Sequence, residues 1–203
     1  MEKPENTASD FIQQQIYSFR SGASSLCYMS AAEWSDGRYE GSVRNPSPVQ
    51  KSHTTGKYMW LADYIAQGDA MGVENNPQFY CFHDLQEAYH QFEYIGELED
   101  ERCVLLLWEI VRAFNDRYRR HSRSKTRKIS PNDSRFYIKC ILELLKRGGD
   151  RMSAFEKMEL YREAGMFNKC FKIYELGVRG RSKEEYEELL FRAAHGDSSP
   201  FML

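Results

Sequence analysis

The sequence predicts a mainly α fold: a helical bundle with an αα-hairpin near the C-terminus, preceded by an irregular N-terminal region with short strands. Three observations carry this. From residue 84 onward, apolar residues recur at three- and four-residue intervals, the stripe of half-buried helices. Two capping boxes, Ser153-Ala-Phe-Glu156 and Ser182-x-x-Glu185, mark helix starts where a Ser hydroxyl and a Glu side chain satisfy each other's backbone amides. Between Leu26 and Lys57, by contrast, Gly37, Gly41, Pro46, Pro48 and Gly56 punctuate the chain and no helical period survives. Residues 1–83 thus read as an irregular acidic region with one or two helices. Residues 84–203 read as an α-helical domain packed with it into one globule.

Taken in order, Asp10 is placed to cap a short helix through Arg20, with Phe11, Ile12, Ile16 and Phe19 as its apolar face. Short strands are predicted at 26–29 and 38–43. Residues 57–67, KYMWLADYIAQ, recover an amphipathic period that Gly68 ends. Asp84 caps a helix to Ile95 carrying Leu85, Ala88, Tyr89 and Phe92 on one face. Residues 102–119 are apolar on more than one face, which predicts a central helix touched from several sides. A helix from Asp133 or Ser134 to Lys146 follows, stopped by Gly148-Gly149. The last helix runs from the second capping box to Ala194, and the closing six residues, Ser198 to Leu203, are apolar enough to dock, or stay free.

The hairpin 152–177 is the best-marked local feature. Met158, Tyr161, Phe167, Cys170, Phe171 and Tyr174 form its apolar stripe, and Gly165 can take the positive φ of a helix end. Tyr161, Gly165, Phe167, Cys170, Tyr174 and Gly177 resemble the aromatic–glycine–aromatic–small–aromatic–small pattern of a tetratricopeptide repeat. Lys157, Met158 and Ser182 depart from that pattern, and the match spans about 30 residues, close to one repeat. The resemblance implies a concave groove lined by the first helix, with Phe155, Glu159 and Arg162 facing a partner peptide or helix. The plain αα-hairpin, with Phe155 in the core, is the alternative.

Composition narrows the function classes. The 203 residues are 41% hydrophobic and 14% aromatic, enough for a real core and unlike a disordered chain. No run approaches the length of a membrane span, and MEKPENTASDF lacks the pattern of a signal peptide. Five single cysteines without paired spacing fit a reducing compartment, so a cytoplasmic location is expected. Residues 1–100 hold 6 Lys/Arg against 15 Asp/Glu, and residues 101–203 hold 22 against 15. The halves therefore carry opposite fields, which either attract each other or leave a basic surface for an anionic partner.

That basic surplus peaks at 117–128, RYRRHSRSKTRK. Arg117, Arg119, Arg120, Arg123, Lys125, Arg127 and Lys128 could neutralise phosphates. Tyr118 is the only aromatic there, so the stacking platform of a single-strand reader is missing. A solvated helix end is the competing reading. Cys81-Phe-His83, with Cys27 or His53, falls short of the two ligand pairs that zinc requires. Ser52-His53-Thr54-Thr55-Gly56-Lys57 lacks the first glycine and the Lys-Ser/Thr ending of a phosphate loop. No catalytic residue, metal or cofactor is assigned. The expectation is a non-enzymatic interaction or adaptor protein that binds a protein partner through its helical C-terminal region. The alternatives are nucleic-acid association through 117–128 or an enzyme with its site in 26–83.

Overall fold

The computed structural model describes residues 11–17, 24–30, 32–36, 39–40, 47–52, 54–71, 80–118 and 129–203. The protein is mainly α-helical with short antiparallel strands. It divides into two compact units, Met1–Trp34 with Arg38–Phe79, and Ser35–Gly37 with Tyr80–Leu203.

The first unit is built from hairpins. Strand β1 (Phe11–Tyr17) pairs antiparallel with β2 (Ser24–Ser30), Phe11 opposite Ser30 and Tyr17 opposite Ser24. This corrects the helix expected over 10–20. Ile12 and Ile16 lie four apart, a spacing that fits the helical period and the strand period of two alike, and β-branched Ile favours the extended form. Strands β3 (Ala32–Glu33) and β4 (Tyr39–Glu40) pair next, then β5 (Val49–Lys51) with β6 (Tyr58–Trp60).

The β5–β6 turn explains the Ser52–Lys57 stretch. Ser52 and Lys57 close it backbone to backbone at 2.8 Å, Gly56 takes φ 70°, and the Ser52 hydroxyl accepts from the Thr55 amide at 3.2 Å. Its polar groups serve the hairpin. The helix expected from 57 therefore starts later, as α1 (Leu61–Met71), and it runs through Gly68. Val49, Tyr58, Trp60 and Tyr64 are buried in this unit.

The second unit holds α2 (Phe82–Ile95), α3 (Asp100–Asn115), α4 (Pro131–Gly148), α5 (Ala154–Glu163), α6 (Phe167–Glu175) and α7 (Lys183–Ala194). Single 3-10 turns at Asp116–Tyr118 and Gly149–Arg151 continue α3 and α4. Helix α3 packs on α2 and α4 and buries Cys103, Leu106, Leu107, Ile110, Val111 and Phe114. Full burial of each such side chain contributes about 1.5–3 kcal/mol. Phe114 stacks on Tyr137 with ring centroids 3.9 Å apart. A further cluster joins α5, α6 and α7 through Phe155, Met158, Cys170, Tyr186, Leu189 and Ala193, and Phe201 completes it.

Helix starts are where sequence and structure differ by a fixed step. Asp84 and Asp133 are the third helical residues, and their carboxylates reach back to the amides of Cys81 and Ser130 at 3.0 and 2.8 Å. The caps are thus Cys81 and Ser130, three residues earlier than expected. Ser153 and Ser182 cap α5 and α7 as expected, and Gly165 turns the hairpin at φ 72°. Among the described residues, no helix is long and apolar enough to cross a membrane.

Candidate functional site

Three polar residues of α5 are buried: Glu159, Arg162 and Glu163. Spaced three and four apart, they lie on one helix face. Arg162 is wholly enclosed, and its Nε and Nη2 donate to the two carboxylate oxygens of Glu159 at 2.8 and 2.6 Å. Its remaining terminal nitrogen donates to the Asp197 carbonyl. Burial alone pulls the Arg162 pKa down, but Glu159, Glu163 and Asp197 outweigh it and hold it above the usual arginine value.

Glu163 turns the other way. It accepts from Asn115 Nδ2 at 3.0 Å and from the Tyr137 hydroxyl at 2.5 Å. Asn115 also donates to Asp36 Oδ2 at 3.2 Å, and Arg112 donates to the Asp36 carbonyl at 3.4 Å. Burial, then the neighbouring Glu159 and Asp36 carboxyls, push Glu163 well above the carboxylate range. Burial, then Glu163, raise Tyr137 likewise. This network ties α3, α4 and α5 to the turn at Ser35 and Asp36 and to the 197–203 segment. Raised carboxyls are common at acid–base sites. Here, however, Glu163, Tyr137 and Asn115 are all closed to solvent, and the network works as an internal clasp.

Segment 197–203, non-helical with a bend at Ser199, lies against this clasp. The Phe201 amide donates to Ser35 Oγ at 3.0 Å and its carbonyl accepts from the Ser35 amide at 2.8 Å. The Phe201 ring, 4% exposed, lies 4.5 Å from the Arg192 guanidinium and 5.3 Å from that of Arg162. Asp197 accepts from Arg192 Nη1 at 2.8 Å and from the Ser199 amide at 2.9 Å. Burial works to raise the Asp197 pKa, but its bonds to Ser199 and Arg192 lower it below the usual aspartate value. Pro200 is buried beside Phe201.

This changes the expected groove. Phe155, Glu159 and Arg162 do come together on one side of α5, but none faces solvent. Phe155 is covered by α7, its ring 5.6 Å from that of Tyr186 with the Arg181 guanidinium 5.3 Å above it. Arg162 is covered by 197–203. The face expected to meet a partner is filled from within the chain.

Of the basic run, Arg117 is described: its guanidinium lies 3.9 Å from the Phe114 ring centroid and donates to the Tyr118 hydroxyl at 2.8 Å. Arg119, Arg120, Arg123, Lys125, Arg127 and Lys128 lie outside the described residues. His83 Nε2 sits 3.5 Å from Asp133, whose carboxylate also accepts from Ser130 Oγ at 2.7 Å. That serine proton points at the acid and not at a histidine base, so the trio is a helix cap. Burial, then Asp84, raise the Cys81 thiol, the opposite of an activated nucleophile. Among the described residues, no group of three or more His, Cys, Asp or Glu could hold a metal ion. Sequence reasoning missed Asp36, Asn115, Tyr137 and Glu163. Only the four-residue spacing of Glu159 and Glu163 was visible, and it matches a solvated helix face equally well.

The chain matches no protein-family model, no curated protein and no solved structure.

Proposed function

We propose that this is a non-enzymatic interaction protein that binds a partner protein through its helical C-terminal region, at the faces of α5 and α7. One observation supports this reading above others: a short non-helical segment, 197–203, is held there by main-chain bonds and one aromatic anchor. Extended peptides are recognised elsewhere by that combination, main chain for affinity and a side-chain pocket for selectivity. We read α5–α6 as a single tetratricopeptide-like hairpin. The turn at Gly165, the buried Cys170 and the half-buried Tyr161, Phe167 and Tyr174 support that reading. We also assign the protein to the cytoplasm. Cys81, Cys103, Cys140 and Cys170 are free thiols, and the last three are buried, a usage that supports a reducing compartment.

Affinity capture with the full chain, followed by reciprocal capture with the protein identified, tests the proposal. The expected partner survives nuclease treatment and charge reversal at Arg119, Arg120 and Arg123, and is lost with Arg192→Glu. Absence of a reciprocal partner, or its loss on nuclease treatment, overturns the proposal.

A further inference from the structure

Resting on that reading, the structure assigns a chemistry to the partner: we propose that α5, α7 and the Ser35 turn form a seat for a non-helical segment of the pattern acid-x-x-Pro-aromatic, and that residues 197–203 are its internal occupant. Each position of the pattern answers to a group in the protein. An acid at the position of Asp197 meets Arg192 Nη1, at 2.8 Å in the occupied seat. The carbonyl of the same residue accepts from Arg162, a buried guanidinium that needs an acceptor there. Proline at the position of Pro200 is buried, and it donates no amide that would need a partner.

An aromatic at the position of Phe201 lies within reach of two cations, 4.5 Å from Arg192 and 5.3 Å from Arg162. Cation–π attraction favours an aromatic ring over an aliphatic side chain of equal area. The two bonds to Ser35 come from the main chain of that residue and hold any sequence in register. Each guanidinium of the seat also holds a glutamate of its own helix, Arg162 with Glu159 and Arg192 with Glu188 at 2.6 Å, so Nη1 of each is the nitrogen turned to the occupant. A competing segment replaces Asp197, Pro200 and Phe201 group for group, so the fold loses no contact type on exchange. Occupancy by 197–203 then sets the threshold for the partner, because an intramolecular ligand competes at high effective concentration.

The test uses the full chain, a fluorescent synthetic peptide with the sequence of residues 197–203, and two variants of the protein that open the seat differently. Phe201→Ala removes the anchor. Asp197→Lys removes the acidic contact and leaves every core side chain in place. With the internal occupant weakened, the peptide should bind Phe201→Ala about tenfold or more tighter than wild type, since a seat that is rarely free lowers apparent affinity by that fraction. Bound peptide should also raise that variant's melting temperature. Peptides carrying Phe201→Leu or Asp197→Lys should bind more weakly than the peptide of native sequence.

If the Phe201→Ala protein does not fold, the Asp197→Lys protein decides by the same comparison. Failure of the folded variants to bind, or equal binding of the native and Phe201→Leu peptides, overturns the seat. No partner protein enters this assay, so its failure removes the peptide chemistry alone. Failed reciprocal capture removes the interaction reading.

Discussion

Arg162 grips Glu159 side-on, with Nε and Nη2 each donating to a different oxygen of one carboxylate and both side chains closed to solvent. Pairs three apart on a helix are usually solvated and worth a few tenths of a kcal/mol. This one is buried because segment 197–203 lies over it and takes the third guanidinium bond at the Asp197 carbonyl. The pair therefore belongs to the interior, and its removal has interior consequences. Arg162→Met should cost about 3–5 kcal/mol in urea unfolding, since Glu159 is left buried and unmatched. Combining it with Glu159→Leu should recover most of that loss. A single variant within about 0.5 kcal/mol of wild type would place the pair at the surface energetically.

Glu163 gives a pH test. Its folded pKa stands well above the unfolded value, through burial first and then Glu159 and Asp36. The native protein therefore keeps a proton that the unfolded chain gives up above about pH 4.3. The stabilisation tied to that proton is present in full below the unfolded pKa, and it is lost as pH rises toward the folded pKa. Glu163→Gln keeps the shape and drops the titration. Its denaturation midpoint should match wild type near pH 4 and exceed it at pH 8. A wild-type advantage that grows with pH would show Glu163 ionised in the folded state.

Two glycines should respond oppositely to alanine. Gly165 sits at φ 72°, where a Cβ meets its own backbone, so Gly165→Ala should cost about 1–2 kcal/mol. Gly149 sits at φ −54°, ψ −37° with nothing within 4 Å of a built Cβ. Gly149→Ala should stabilise by about 0.4–1 kcal/mol by restricting the unfolded chain. Thermal melts of both variants read the sign directly.

The two serine caps at α5 and α7 are exposed, and each hydroxyl accepts an amide at 3.2 Å. Ser153→Ala and Ser182→Ala should each lower stability by about 1 kcal/mol, and Ser→Asp should restore it. Denaturant midpoints of the four single variants check both statements.

Local signals were readable and distant ones were not. The capping boxes, Gly165 and the stripes of α2–α7 follow from spacing alone, and the structure keeps them. Asp84 and Asp133 show the limit of a cap rule: an acid at the third helical position looks like a cap until the residue three before it is weighed. Ile12 and Ile16 satisfy two periods at once, so pairing with Ser24–Ser30 decides what local preference cannot. The α5 site was half legible. Phe155, Glu159 and Arg162 share one side by their four- and three-residue spacing, yet nothing near them in sequence reveals what covers them. Ser35 and Phe201, 166 positions apart, meet through tertiary structure alone. A glutamate whose pKa is raised by burial and by neighbouring carboxyls is likewise visible only once Glu159 and Asp36 are brought around it.

Segment 197–203 should leave its seat without unfolding of the helices. Native-state hydrogen exchange of the full chain measures this at one amide, that of Phe201, which donates to Ser35 Oγ. That amide should be protected with an opening free energy well below that of the Leu107 amide in buried α3, since separable segments open locally. Exchange of the Phe201 amide at the unprotected rate, or only on the global unfolding of α3, would contradict it.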